Sequence, residues 1–239
     1  SAADPRNFTA ADEPYLESLI DVANGILGNL VEPLNGSPIP VSYPNGATHI
    51  PDAGFRLVLE DIAYVQDPVG WNNASSTCGN YAYNAYGSQD CYYDIFFLGE
   101  GRFTGCGPLN FSTLVNFYQQ YLDNEATGCC FNVFNHAFTL LHELGHSFGL
   151  AHSHNPQFDD IYCSPCSTNN CDPESDPNCI NNIMSYAGTR MRNFTPHQLA
   201  AIRMRFFAPN NSPYVRSAES GTTTISGHQT WTHARLMPG

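Results

Sequence analysis

His142-Glu143-Leu-Gly-His146-Ser-Phe-Gly149-Leu-Ala-His152 places three imidazoles and a carboxylate within eleven residues. Residues i and i+4 share a helix face, so His142 and His146 can reach one ion together. On an unbroken helix His152 could not join them, because ten residues after His142 it would be rotated by about 280° and lie about 9 Å beyond His146. The chain must turn first, and Gly149 stands where a positive φ is needed. Three histidines around an open fourth position describe a catalytic zinc site rather than a closed structural one. Glu143 is not needed for binding; its expected role is to take the proton of a zinc-bound water as it attacks a carbonyl and to hand it to the departing amine. A bare His-Glu-x-x-His also arises on ordinary charged helices, whereas the form extended by Gly149 and His152 is far more restrictive.

About 30 residues further on stands Asn182-Ile-Met184-Ser-Tyr186. Taken alone, Met184 and Tyr186 read as core packing. Taken with the histidines, they make the sequence similar to the metzincin clan of zinc endopeptidases. The resemblance implies a methionine turn beneath the metal, with Met184 as its hydrophobic floor. It also implies that Tyr186 lies near the zinc, as a transition-state donor or switchable ligand. Within the clan the chain looks most like the pappalysin-type group, on the run from Cys171 to Pro177, on Asn181-Asn-Ile-Met-Ser-Tyr-Ala, and on Phe194-Thr-Pro-His-Gln-Leu. This resemblance covers about residues 50 to 207. Ser153 follows the third histidine where several other metzincin families carry an acidic residue.

The other candidates for chemistry read more plainly. His154 lies just past the third ligand, but the motif spacing selects His152. His49, His136, His197, His228 and His233 have no partner at ligand spacing and read as surface or core groups. Asp159, Asp160, Asp172, Glu174 and Asp176 offer the clustered oxygens that calcium takes, though without EF-hand spacing, so a calcium site there stays an open alternative. Nine cysteines (78, 91, 106, 129, 130, 163, 166, 171 and 179) are many for a reducing compartment, and a secreted, disulfide-bearing protein is the expectation. A second zinc site at Cys163, Cys166, Cys171 and Cys179 is the alternative. An odd total leaves at least one thiol free or paired outside the chain. The start, Ser1-Ala2-Ala3-Asp4-Pro5, lacks a basic region followed by an apolar run and is read as a processed or trimmed chain, with a propeptide among the expected missing parts.

Elements must position these groups. Leu16, Leu19, Ile20, Ala23, Ile26, Leu27 and Leu30 recur at helical spacing, with Thr9 or Asp12 as cap. The stretch from Phe55 to Val65 and that from Cys91 to Leu98 read as strands, the second being the candidate edge for an extended peptide. Helices are expected from about Asn110 to Leu122 and from about Asn135 to Phe148, the latter leading into the histidines. Residues 154 to 182 read as an irregular loop. Phe194 to Phe206 reads as a helix with Thr195 as N-cap and Pro196 in the first turn.

The 239 residues carry 42% hydrophobic and 13% aromatic side chains, enough for a sizeable core. No stretch reaches the roughly 18 apolar residues of a membrane span. The net charge of -13, with 22 acidic residues against nine basic ones, all arginine, makes nucleic acid an unfavourable partner. By resemblance the fold is α/β of the α+β kind: a metzincin zincin-like catalytic domain with a twisted mixed sheet, an active-site helix and a smaller irregular lower subdomain. It is expected over residues 1–210, the upper part ending near 150 and the lower part covering 151–210. Residues 211–239 read as a linker and the truncated start of a β-rich module. The implied activity is zinc-dependent hydrolysis of peptide bonds in protein substrates. The rival readings are a catalytically silent zinc-containing adhesion or binding module, against which the intact Glu143 argues, and hydrolysis of a non-peptide amide or ester.

Overall fold

A computed structural model describes residues 9–32, 49–65, 84–86, 93–97, 105–106, 112–115, 133–153, 181–185, 192–207 and 234–238. The first helix, α1 (Glu13–Leu27), is entered through a 3-10 turn at Ala10–Asp12. Thr9 caps that turn: its hydroxyl accepts from the Ala11 N–H while the Asp12 carboxylate accepts from the Thr9 N–H at 2.7 Å. One face of α1 buries Leu16, Leu19, Ile20, Ala23, Ile26 and Leu27, the set its spacing requires.

Strand β1 (Phe55–Leu59) follows, sharing a core with α1 and hydrogen-bonded to its Asn24 side chain. The Asn24 amide donates to the Leu57 carbonyl at 2.8 Å and accepts from the Leu57 N–H at 2.7 Å, pairing with that residue as a neighbouring strand would. Strands β2 (Asp94–Phe97), β3 (Gly105–Cys106) and β4 (Ser112–Val115) form a second sheet in the order β2-β4-β3. Strand β2 runs parallel to β4 and β3 antiparallel to it, so this sheet is mixed. The last strand, β5 (Ala234–Pro238), pairs antiparallel with β1, Leu57 standing opposite Leu236.

Helix α2 (Val133–Ser147) joins these parts, packing on α1 and lying against β3 and β4. Its apolar face, with Ala137, Phe138, Leu140, Leu141 and Leu144, meets the buried face of α1 in one continuous core. Phe148 extends that core through edge and tilted contacts with Phe55 and Tyr93. Helix α3 (Pro196–Phe207) contributes Leu199 and Ile202. Among the described residues no helix is long and apolar enough to cross a membrane. The mixture of helices and strands is that of an α+β protein.

One expected element is corrected. The stretch from about Asn110 to Leu122, read from its periodicity as a helix, contains β4 at Ser112–Val115. Thr113 and Val115 are β-branched and suit a pleated strand, and this segment has neighbours on both sides, β2 and β3. Pairing with two neighbouring strands overrides a short helical pattern.

Candidate metal centre

The last turn of α2 ends in the way Gly149 requires. The Leu150 N–H reaches back to the Gly145 carbonyl at 2.9 Å and the Gly149 N–H to the His146 carbonyl at 2.8 Å, the paired bonds of a Schellman motif. Gly149 has φ +89°, a left-handed conformation that side chains disfavour. The reversal does two things at once: it brings His152 back toward the helix face carrying His142 and His146, and it aims the Leu150 carbonyl at the His146 ring.

His142, His146 and His152 then converge. The His146 Nε2 lies 3.1 Å from the His142 Nε2 and 3.0 Å from the His152 Nε2. His142 donates from Nδ1 to the Ile183 carbonyl and His146 from Nδ1 to the Leu150 carbonyl, both at 2.8 Å. These carbonyls fix the tautomers: the proton is on Nδ1, and Nε2 presents a lone pair. Burial pushes the His146 ring below its ordinary pKa, its bond to the Leu150 carbonyl opposing that shift, so the neutral ligand form is favoured.

Two lone pairs facing each other at 3.1 Å cannot share a hydrogen bond and repel unless a positive charge sits between them. A divalent ion supplies it. Nitrogens about 2.0–2.1 Å from a tetrahedral zinc ion stand about 3.3 Å from one another. The spacing here is within a few tenths of an ångström of that value, and the ligand atoms of all three residues lie within 4.8 Å of one another. The donor set fits zinc.

Glu143 is buried on α2, next in sequence to the first histidine. Beneath the histidines lies the turn 182–185. Met184 is fully buried, and a methyl group added at Gly145 would run into its Sδ. The same turn holds the chain beyond the third histidine, since the Ser153 N–H donates to the Met184 carbonyl at 2.9 Å.

Tyr186, His154, the five acidic residues considered for calcium, and His228 and His233 lie outside the described residues. So do eight of the cysteines; Cys106 is described only as part of the β3 backbone. His49 is half-buried, His197 exposed on α3 and His136 buried on α2, and among the described residues the ligand group holds none of them. Three residues of the site carried no role in the sequence reading: Gly145, Asn182 and Gln198. For Gln198 a signal was present, since Thr195-x-x-Gln198 is the spacing of a capping box. Gly145 and Asn182 have no such local mark.

A family model described as Metallo-peptidase family M12B Reprolysin-like matches residues 119–215. The matched span contains α2, the three histidines, the turn 182–185 and α3. No curated protein and no solved structure matches the chain. The family match and the histidine group together support a metzincin-like zinc metallopeptidase, for which proteins or peptides are the substrate class.

Proposed function

We propose that the chain is a secreted zinc-dependent endopeptidase of the metzincin type. The observation carrying this reading is the pair of ring nitrogens, His142 and His146 Nε2, held lone pair to lone pair at 3.1 Å by carbonyls behind them. His142, His146 and His152 hold the ion through Nε2. When bound, zinc supplies Lewis acidity at that point, acidifying water and polarising the scissile carbonyl.

The chain's own residues do the rest. Glu143 accepts the proton of the attacking water and returns it to the nitrogen of the leaving amine, a role that its position beside His142 supports. Its burial keeps bulk water away from the carboxylate and strengthens its interactions. Tyr186 is assigned, on the resemblance alone, the stabilisation of the developing oxyanion. An extended substrate would add alongside β2, an end strand of its sheet among the described residues. The catalytic unit is assigned to residues 1–210, with 211–239 as linker and further module. At the finer level the subgroup is pappalysin-type, supported by the motifs at 171–177, 181–187 and 194–199. The reprolysin-like match supports the clan and not that subgroup. Secretion rests on the cysteine count.

Casein or gelatin cleavage, with and without a chelator and beside Glu143→Ala, tests the reading. Cleavage should disappear with chelator and return with zinc, and Glu143→Ala should lower the rate by about 10²–10⁴-fold with zinc content unchanged. Equal cleavage in every lane would overturn it, and zinc binding without any hydrolysis would favour the silent binding module.

A further inference from the structure

We infer that Asn182 and Gln198 are positioning residues for the histidine centre, coupling the N-terminus of α3 to two of the three ligands through a pair of buried amides. The inference rests on the reading that the histidines hold zinc.

Both side chains are fully buried, and every polar contact between them is reciprocal. The Asn182 Nδ2 donates to the Gln198 Oε1 at 2.7 Å, and the Gln198 Nε2 donates to the Asn182 Oδ1 at 3.1 Å. Neighbouring backbone groups leave no freedom to flip either amide. The Met184 N–H donates to the Asn182 Oδ1 at 2.9 Å and the Thr195 N–H to the Gln198 Oε1 at 2.9 Å, so an oxygen must stand at each place.

Capping α3 requires less than this. The Thr195 hydroxyl accepts from the Gln198 N–H at 3.2 Å and the Gln198 Oε1 accepts from the Thr195 N–H, which completes a capping box. The remaining NH2 group of Gln198 does nothing for the helix. It faces Asn182, whose Oδ1 thereby receives two donors while its main-chain carbonyl closes the turn to the Ser185 N–H at 3.0 Å.

That turn carries the carbonyls that matter to the metal. The Ile183 carbonyl accepts from His142 Nδ1 at 2.8 Å, and the Met184 carbonyl accepts from the N–H of Ser153, the residue after His152, at 2.9 Å. A displacement of Asn182 therefore moves the supports of the first and third ligands together. Partners behind a metal ligand tune affinity by about 10–100-fold, and the amide pair sits one step behind them.

Three variants separate positioning from general stability. Gln198→Glu keeps both capping oxygens but sets a buried oxygen against the Asn182 Oδ1 in place of the amide donor, a cost that the unfolding measurement reads separately. Asn182→Ala removes the pair from the other side. Thr195→Ala weakens the cap and leaves the amides paired. Zinc affinity by chelator competition and the visible spectrum of the cobalt(II)-loaded protein are read beside thermal unfolding of the metal-free chain. Gln198→Glu and Asn182→Ala should weaken zinc by about tenfold and shift the cobalt bands, and Thr195→Ala should leave both unchanged while lowering stability. Should Gln198→Glu bind zinc as the unaltered chain does, or should affinity track unfolding temperature across all three, the coupling is wrong. Absence of zinc binding in the unaltered chain would instead overturn the metal reading itself, and with it this one.

Discussion

Gly145 lies on α2 between His142 and His146, and the side chain opposite it is the fully buried Met184. Contact is so close that a methyl group has no room, and the sulfur cannot retreat into a packed core without cost. Gly145→Ala should destabilise the protein by about 1–3 kcal/mol through overpacking and displace the turn carrying the Ile183 carbonyl. Zinc affinity should fall with it. The double variant Gly145→Ala with Met184→Ala should lose less than the sum of the single losses, because one clash underlies both effects. Denaturant unfolding of the four chains checks this; strict additivity would show that the two residues do not meet. Such residues also mark where sequence reading stops. The histidine spacing and the positive φ of Gly149 follow from helix geometry over eleven residues, whereas the demand for glycine at 145 comes from a methionine far along the chain. Asn182 and Gln198 are likewise legible singly as polar residues and not as a pair.

Helices α1 and α2 meet across an apolar interface that contains a buried imidazole. His136 is buried there, its Nδ1 hydrogen-bonded to the Tyr15 hydroxyl and its edge against the Tyr15 ring. Burial pushes its pKa down to about 4, so the folded chain keeps this ring neutral where the unfolded chain, near 6.5, protonates it. Between those values the unfolded state binds more protons, so the contribution is complete above pH 6.5 and is lost as pH falls toward 4. The loss amounts to at most roughly 3 kcal/mol. Urea unfolding of the metal-free protein from pH 7 to 4.5 should show it, and His136→Phe should have the shallower slope; parallel slopes would remove His136 as the cause. At this scale the amphipathic periods of α1, α2 and α3 were readable because each buries one stripe. The segment around Ser112–Val115 was not, because a four-residue strand takes its conformation from β2 and β3 rather than from its own pattern.

Across the whole molecule, the described residues that form and support the metal centre fall between His142 and Gln198, while β5 at 234–238 reaches back to β1, away from the histidines in sequence. A chain ending at residue 210 should therefore retain zinc affinity and hydrolysis. It should unfold at a lower temperature, by about 2–4 °C for each kcal/mol of lost pairing, because β1 would be left without its antiparallel neighbour. Loss of zinc binding on truncation would show instead that the C-terminal strand belongs to the catalytic unit. Composition bounded the class of molecule and its net charge of -13, but which cysteines pair was never readable, since connectivity depends on distances that sequence does not encode.

The reversal at Gly149 gathers all three imidazoles from one short stretch of chain. A denatured or nascent polypeptide that contains this stretch thus already owns every side chain needed to chelate, and it should capture zinc weakly before the rest has folded. Zinc then stabilises the native state only by the margin between the two affinities. That margin comes from the supports that a loose peptide lacks, the carbonyl of Ile183 behind His142 and the carbonyl of Met184 that holds Ser153, so metal loading reports on whether distant parts of the chain have docked.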